Sequence, residues 1–332
     1  MLKKILIINL GLCFSLIAEE SHNLSKIEKV VNVASCFSGE KYNYNEFIDH
    51  NLKEFKASLG KRGAHLKKAM FIRRFTQDKF RLIKQNFDCQ QITYDVDGVL
   101  VEGFYLRKKG LETKQPLLVF NRGGNGSFGR IPMISLLMNY TSIANAGYVV
   151  VGTQYREQDE FGGADINDVT TLVDIAKKLP EVDEQRVNMM GVSRGGMMTY
   201  LAAKALPDLT SIIVWAGASD LARGLTMRPE MEVVHQARIV NYEENKAEKL
   251  QQRSVLYWLD SLNPRMPILL LHGDADKAVD VSQSIVLAKK LTERHHPHKM
   301  VIYPNGDHGL TQYKKAVNKE VIDWLSQYNK PY

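Results

Sequence analysis

The chain has 332 residues, of which 44% are hydrophobic and 24% are charged. This composition is typical of a globular protein and excludes a wholly disordered chain. The net charge of +7 comes from dispersed lysines and arginines with no dense basic block among stacking aromatics. That pattern argues against a nucleic-acid groove, so we expect no nucleic-acid partner.

Residues 1–18 are typical of a secretory signal peptide. Lys3 and Lys4 precede an apolar run from Ile5 to Ala18, and polar residues follow. The run is short for a membrane span, and no later apolar run is long enough to cross a bilayer. We predict cleavage after Ala18 and export to the periplasm or medium, with an uncleaved amino-terminal anchor as the alternative.

Two cysteines, Cys36 and Cys89, remain after such a cleavage. An oxidising compartment permits a disulfide between them. Two cysteines this far apart do not by themselves decide between a disulfide and free thiols.

Residues 19–88 are predicted to form a helical amino-terminal extension. Apolar residues such as Phe47, Ile48, Phe55 and Leu59 recur there at helical spacing.

Residues 89–332 are predicted to form one α/β domain, because short apolar runs alternate with helical segments. Strands that are apolar on both faces indicate a mostly parallel sheet covered by helices on both faces. We expect eight strands, the first two joined as a hairpin by Asp97-Gly98. The predicted strands are Gln91–Asp95, Val99–Arg107, Leu117–Phe120, Tyr148–Gly152, Val187–Met190, Ser211–Trp215, Ile268–Leu271 and Met300–Tyr303.

Residues 220–264 interrupt the alternation of strands and helices. The stretches Met231–Ile239 and Glu243–Trp258 have a helical pattern with many charges. This insertion forms either a cap over the sheet or an elaborated crossover, and the pattern leaves both open.

The sequence Gly191-Val-Ser193-Arg-Gly195 follows a predicted buried strand and precedes a predicted helix. Such a strand–turn–helix setting is that of a nucleophile elbow, in which a strained turn exposes the serine hydroxyl. Glycines on both sides leave room where side chains would collide. Ser193 is therefore the candidate nucleophile. A serine that only caps the helix is the alternative, but it does not account for the two glycines.

A serine hydroxyl needs a base, and the imidazole needs an orienting carboxylate. His308, in the glycine-flanked loop after the last strand, is the candidate base. Asp276 follows the penultimate strand and is the candidate acid, with Asp274 as the alternative. Asp307 is expected to shape the loop. The chain order Ser193, Asp276, His308 is that of α/β-hydrolases.

Acyl transfer also needs donors for the developing oxyanion. We expect the amide of Arg194 to supply one donor. The glycine-rich loop after the third predicted strand, with Arg122, Gly123 and Gly124, is expected to supply the second. This loop lacks the lysine and the serine or threonine of a phosphate-binding P-loop.

His295, His296 and His298 form the only histidine cluster in the sequence. They lie at a predicted helix end beside Pro297, so we expect an exposed loop, with no metal and no other cofactor.

Several segments match a family pattern from about Gln90 to the carboxyl terminus: Tyr155-Arg-Glu, Phe161-Gly-Gly before Asp165 and Asp168, Val182-Asp183-Glu-Gln-Arg186-Val, Gly191-Val-Ser193-Arg-Gly-Gly196, Leu271-His-Gly-Asp-Ala-Asp276-Lys-Ala-Val279 and Asp307-His308-Gly. On these residues, the chain resembles the catalytic domain of the prolyl oligopeptidase family of serine peptidases. The resemblance implies that Ser193, Asp276 and His308 are the nucleophile, acid and base.

Two departures from that family matter. Relatives commonly have tyrosine or histidine where this chain has Arg122, which either donates to the oxyanion or leaves that task to backbone amides. The residues before Gln90 are too few for the β-propeller that gates many of the peptidases. We expect a serine peptidase acting on short peptides, with an esterase as the alternative and a non-catalytic binding protein as a third hypothesis. The sequence does not specify the oligomeric state.

Overall fold

The computed structural model describes residues 21–329. The predicted signal peptide therefore lies outside the described residues. Within residues 21–329, no helix combines the length and the apolar character that a bilayer crossing requires.

One sheet of nine strands organises this part of the chain. The strands are β1 (Val30–Ser35), β2 (Phe87–Val96), β3 (Val99–Lys108), β4 (Gln115–Asn121), β5 (Val149–Thr153), β6 (Val182–Val192), β7 (Ser211–Trp215), β8 (Ile268–Gly273) and β9 (His298–Tyr303). The helices are α1 (Ser21–Leu24), α2 (Tyr44–Leu59), α3 (Lys68–Arg74), α4 (Gln77–Asn86), α5 (Met133–Asn145), α6 (Ile166–Lys177), α7 (Arg194–Ala205), α8 (Leu221–Met227), α9 (Met231–Arg238), α10 (Tyr242–Gln252), α11 (Ser282–Glu293) and α12 (Lys314–Tyr328).

The strand order is β1-β2-β3-β5-β4-β6-β7-β8-β9. Strands β4 to β9 pair in parallel, and β1, β2 and β3 are antiparallel to their neighbours. Every residue of β4 and of β8 is buried, as expected of strands covered on both faces. Helix α5 and helix α12 pack on one face with the amino-terminal extension, and α6, α7 and α11 pack on the other. The predicted α/β-hydrolase fold class is confirmed.

The sheet has one strand more than the eight predicted. All eight predicted strands are present, and the additional strand, β1, lies in the segment predicted to be a helical extension. It pairs antiparallel with β2 at the edge of the sheet. Its six residues are half-buried or exposed, so they lack the apolar alternation that identifies a strand.

The rest of the extension is anchored on the catalytic domain by a disulfide and by polar contacts. Cys36 and Cys89 form a disulfide that joins the segment after β1 to β2. The Asn51 side-chain oxygen accepts a hydrogen bond from the Ile134 amide at 2.7 Å, which ties α2 to α5. Near the end of α2, the Ser58 carbonyl accepts a hydrogen bond from the Gly129 amide at 3.0 Å, so this end of the helix lies beside the loop that follows β4.

Candidate active site

Ser193 lies in a strained turn between β6 and α7. Its backbone has φ 60° and ψ −126°, a region that non-glycine residues occupy only when the surroundings enforce it. A Cβ at Gly191 would lie 1.9 Å from the Gly195 carbonyl oxygen, and a Cβ at Gly195 would lie 2.0 Å from the Asn121 carbonyl oxygen. The two glycines are therefore required by close backbone approach, and the turn holds Ser193 at the carboxyl end of β6.

His308 and Asp276 come together although 32 residues separate them. The His308 Nδ1 lies 2.7 Å from the Asp276 Oδ2, where it can donate a hydrogen bond to the carboxylate. The Trp215 indole nitrogen donates to the His308 carbonyl oxygen at 3.2 Å, which fixes the loop after β9. Asp276 is buried, and its other oxygen accepts hydrogen bonds from the amides of Ala278 at 2.7 Å and Val279 at 3.0 Å.

A second imidazole supports the same carboxylate. His272 is fully buried in β8, and its Nε2 lies 3.2 Å from the Asp276 Oδ2 and 2.9 Å from the Val279 carbonyl oxygen. Its Nδ1 lies 2.7 Å from the Ser284 hydroxyl oxygen. Burial alone would raise the pKa of Asp276, but hydrogen bonds from His272 and His308 outweigh burial and lower it. Asp276 is therefore ionised at neutral pH.

The two other aspartates considered from the sequence are exposed, and both accept hydrogen bonds from backbone amides. Asp274 accepts a hydrogen bond from the Asn305 amide at 2.5 Å, which joins the loops after β8 and β9. Asp307 accepts one from the Thr311 amide at 2.8 Å. Asp276 is thus the carboxylate that the structure places on His308.

Ser193, Asp276 and His308 line one cavity of about 800 Å³. It lies at the carboxyl ends of the parallel strands, where ligands bind in open α/β sheets. Because the Nδ1 of His308 is engaged by Asp276, its Nε2 is the nitrogen left for a substrate or a serine hydroxyl.

The loop after β4 approaches Ser193 through Gly123. A Cβ at Gly123 would lie 3.1 Å from the Ser193 Cβ and 3.7 Å from its hydroxyl oxygen, so a side chain there would crowd the serine. Within residues 21–329, the amides of Gly123 and Arg194 donate to no backbone carbonyl. Gly124 has a φ of 75°, which only glycine adopts readily, and its carbonyl accepts a hydrogen bond from the Arg194 side chain at 2.9 Å.

The side chain of Arg122 is not available as an oxyanion donor. It is 1% exposed, and all five of its N–H groups donate to backbone carbonyl oxygens at 2.6–3.1 Å. The acceptors are the carbonyls of Gly123, Gly126, Phe128 and Gln154. The sequence left open whether Arg122 acts on the oxyanion or leaves this to amides, and in the structure every N–H group of its side chain is engaged by the backbone. Arg122 holds the glycine-rich loop in shape.

A buried ion cluster under this loop was not predicted from the sequence. The Arg194 guanidinium lies 2.9 Å from the Asp159 carboxylate and also contacts that of Asp165. Burial would lower the pKa of Arg194, but the two carboxylates outweigh burial and raise it. Asp165 also accepts a hydrogen bond from the Gly163 amide at 2.9 Å, which orders the turn at Phe161. In the sequence, Asp165 could be noticed because it follows the Phe161-Gly-Gly segment. No motif in the sequence pointed to Asp159.

The walls of the cavity are largely apolar and come from several parts of the chain. The insertion between β7 and β8 forms α8, α9 and α10, and it contributes Leu221, Met231 and Val234. The turn at Phe161 and helix α7 contribute further apolar side chains, and the amino-terminal extension contributes Leu59. The insertion therefore lines part of the cavity.

The histidine cluster lies away from this cavity, at the segment that enters β9. His296 is buried, not exposed as predicted, and its Nε2 contacts the Met266 carbonyl oxygen at 2.7 Å. Burial lowers the pKa of His296. No group of three or more His, Cys, Asp or Glu residues within residues 21–329 could hold a metal ion.

Known proteins similar to this chain are peptidases. The uncharacterized peptidase YtmA of Bacillus subtilis is 26% identical over 259 residues, which cover 76% of this chain and 97% of that protein. Dipeptidyl-peptidase 5 of Porphyromonas gingivalis is 26% identical over 235 residues, or 65% of this chain and 34% of that one. This chain thus spans about a third of the length of that relative.

A solved structure shares the fold. The acylaminoacyl peptidase of Pyrococcus horikoshii superimposes with a TM-score of 0.65 at 20% identity, over 76% of this chain and 44% of that one. The sequence model of the prolyl oligopeptidase family matches residues 135–331, which include the elbow at Ser193 and the loops with Asp276 and His308. The chain therefore belongs to the prolyl oligopeptidase family of serine peptidases.

Proposed function

We propose that this chain is a serine hydrolase that cleaves short peptides through an acyl-enzyme, with Ser193 as nucleophile, His308 as base and Asp276 as the orienting acid. The observation that carries the proposal is the 2.7 Å contact between His308 and Asp276 beside the cavity that Ser193 also lines. The names of its relatives as peptidases favour amide over ester substrates.

In this mechanism, the Nε2 of His308 accepts the proton of the Ser193 hydroxyl as its oxygen attacks the carbonyl carbon of the scissile bond. Asp276 holds the imidazole by its Nδ1 and stabilises the imidazolium that forms. The amides of Gly123 and Arg194 donate to the oxyanion. His308 then gives its proton to the leaving amine, and water releases the acyl group by the same steps.

The apolar walls suggest how the substrate is held. Leu221, Met231 and Val234 face the same cavity as Ser193 and offer burial to an apolar side chain next to the cleaved bond. Since apolar burial is worth about 25 cal/mol per Å², a large side chain placed there would dominate binding.

Matched amide and ester substrates test the reaction. We expect the purified enzyme to release p-nitroaniline from an apolar aminoacyl p-nitroanilide, and Asp276→Asn to lower kcat by several orders of magnitude. The control is the p-nitrophenyl ester of the same amino acid. Turnover of the ester without turnover of the anilide would contradict the peptidase assignment and favour an esterase.

We also propose that the chain is exported after cleavage of residues 1–18. The disulfide between Cys36 and Cys89 supports this, since such bonds persist in oxidising compartments. Mass spectrometry of the protein from fractionated cells would test it. We expect a mature chain that begins at residue 19 in the exported fraction. A chain with an intact amino terminus in the cytosolic fraction would contradict the proposal.

A further inference from the structure

Arg253 is a buried arginine of the insertion that the mechanism above does not use. It directly follows α10 and is 5% exposed. Its Nε donates to the Phe161 carbonyl oxygen at 2.8 Å, and its two terminal nitrogens donate to the carbonyls of Glu160 and Lys249, each at 3.1 Å. Arg253 therefore fastens the end of α10 to the turn at Phe161, and this turn itself lines the cavity.

The turn at Phe161 supplies both carboxylates of the buried ion cluster. Asp165 accepts hydrogen bonds from the amides of Gly162 at 3.1 Å and Gly163 at 2.9 Å. Asp159 accepts one from the Phe161 amide at 3.2 Å. Because these bonds tie each carboxylate to the backbone of the turn, a displacement of the turn displaces both carboxylates.

The ion cluster in turn contacts the residues that carry the oxyanion-binding amides. The Asp159 carboxylate lies 2.9 Å from the Arg194 guanidinium and also accepts a hydrogen bond from the Gly126 amide in the glycine-rich loop. The same guanidinium donates to the Gly124 carbonyl oxygen at 2.9 Å. Gly124 directly follows Gly123, whose amide is the second proposed oxyanion donor beside that of Arg194. The cluster therefore holds the two donors against each other.

We propose that Arg253 is a positioning residue that keeps the oxyanion-binding amides in place through the turn at Phe161 and the ion cluster. This rests on the proposed function. The amides stabilise the oxyanion only when they lie within about 3 Å of it. A small displacement of the cluster therefore weakens binding of the transition state more than binding of the uncleaved peptide. The insertion thus contributes to catalysis as well as to the cavity wall.

Replacing Arg253 by methionine removes its donors and tests this role. We expect kcat on an aminoacyl p-nitroanilide, measured per folded molecule, to fall about 10- to 100-fold, as for a catalytic group displaced by a distant change. The rate at which a fluorophosphonate labels Ser193 should fall in parallel, because its phosphonyl oxygen takes the place of the oxyanion. The Kd of a short peptide in a Ser193→Ala background should stay within about twofold of the parent.

A milder variant and a matched control accompany it. Arg253→Lys keeps a charged donor without the planar fork, so its labelling rate should lie between those of the parent and of Arg253→Met. It gives the same comparison if the methionine variant does not fold. The control is Arg223→Met, because Arg223 is an exposed arginine of the same insertion that does not line the cavity. It should keep the kcat and the labelling rate of the parent.

A double-mutant cycle tests the path through the cluster. Asp165→Asn keeps the size of the side chain but removes the charge that holds Arg194. If Arg253 acts through Asp165, the labelling rate of the double variant should fall less than the product of the two single reductions. Two reductions that multiply would contradict this path.

Failure of the positioning role and failure of the proposed function are distinguishable. Folded Arg253→Met and Arg253→Lys with a reduced melting temperature but the kcat and labelling rate of the parent would show a purely structural role and overturn the proposal. A parent enzyme that is labelled at Ser193 but releases no p-nitroaniline would overturn the proposed peptidase function. The labelling rates would then still decide the role of Arg253.

Discussion

Replacing Arg122 by methionine should destabilise the protein rather than remove an oxyanion donor. The guanidinium donates five hydrogen bonds to four backbone carbonyls, and Arg122 is 1% exposed. Burial lowers the pKa of Arg122 to about 10, so it stays charged at neutral pH. Methionine has a shorter unbranched side chain without a hydrogen-bond donor, so it leaves these carbonyls without their partner.

The expected magnitude follows from those bonds. A buried acceptor that loses its partner costs about 1–3 kcal/mol, and water entering the gap can satisfy some of the four carbonyls. Removing a buried charge also relieves its desolvation. We therefore expect Arg122→Met to lower the free energy of unfolding by about 3–4 kcal/mol. Arg122→Lys should recover only part of this, because an ammonium group lacks the planar fork that reaches all four carbonyls.

Urea denaturation followed by tryptophan fluorescence measures this loss, with kcat determined on the folded fraction. The matched control is Arg130→Met, in the same loop, because Arg130 is partly exposed and pairs with Glu102 at the surface. Its loss should be within about 1 kcal/mol. If Arg122→Met lowered kcat by orders of magnitude with unchanged stability, Arg122 would be an oxyanion donor and our interpretation of it would be wrong.

Four further changes test other parts of the structure. Ser193→Ala should abolish turnover while the melting temperature stays within a few degrees; persistent turnover would mean that another residue is the nucleophile. Gly195→Ala should prevent folding or lower kcat sharply, because its Cβ would lie 2.0 Å from the Asn121 carbonyl oxygen; normal activity and a normal melting temperature would contradict that contact. Replacing Cys36 and Cys89 together by serine should lower the free energy of unfolding by about 4 kcal/mol in the chain-entropy estimate for this loop, measured by urea denaturation. No loss in this double variant would show that the disulfide does not stabilise the extension. The pKa of Asp276 is lowered in the native state, so its stabilising contribution is complete above about pH 4 and is lost as the pH falls further. The difference in melting temperature between the parent and Asp276→Asn should therefore shrink below that pH, and a constant difference would contradict the assignment.

The centre of the sheet could be predicted from sequence because strands such as β4 and β8 are buried on both faces. Runs such as Leu117–Phe120 and Ile268–Leu271 are apolar throughout, and they alternate with helices of ordinary length. The elbow at Ser193 was predictable because the turn requires glycine on both sides of the serine. The structure shows that a Cβ at either glycine would clash with the backbone. His308 and Asp276 could be assigned because both follow strands that end at the same edge of the sheet.

Features that depend on contacts distant in sequence could not be predicted. The edge strand Val30–Ser35 is half-exposed and is defined by its pairing with β2. The role of Arg122 depends on backbone carbonyls that come together only when the loops around it fold. Nothing in the local sequence of Arg122 indicates which carbonyls these are. The pairing of Cys36 with Cys89 likewise required the register of β1 on β2, which brings their Cα atoms to 5.4 Å.

The most direct test of the central claim is to locate the adduct of a fluorophosphonate probe by mass spectrometry. We predict one adduct per folded chain, on the peptide that contains Ser193, and no adduct on folded Ser193→Ala. A folded protein that cleaves peptides but forms no adduct at Ser193, or that is labelled equally in the alanine variant, would contradict the assignment of Ser193 as the nucleophile.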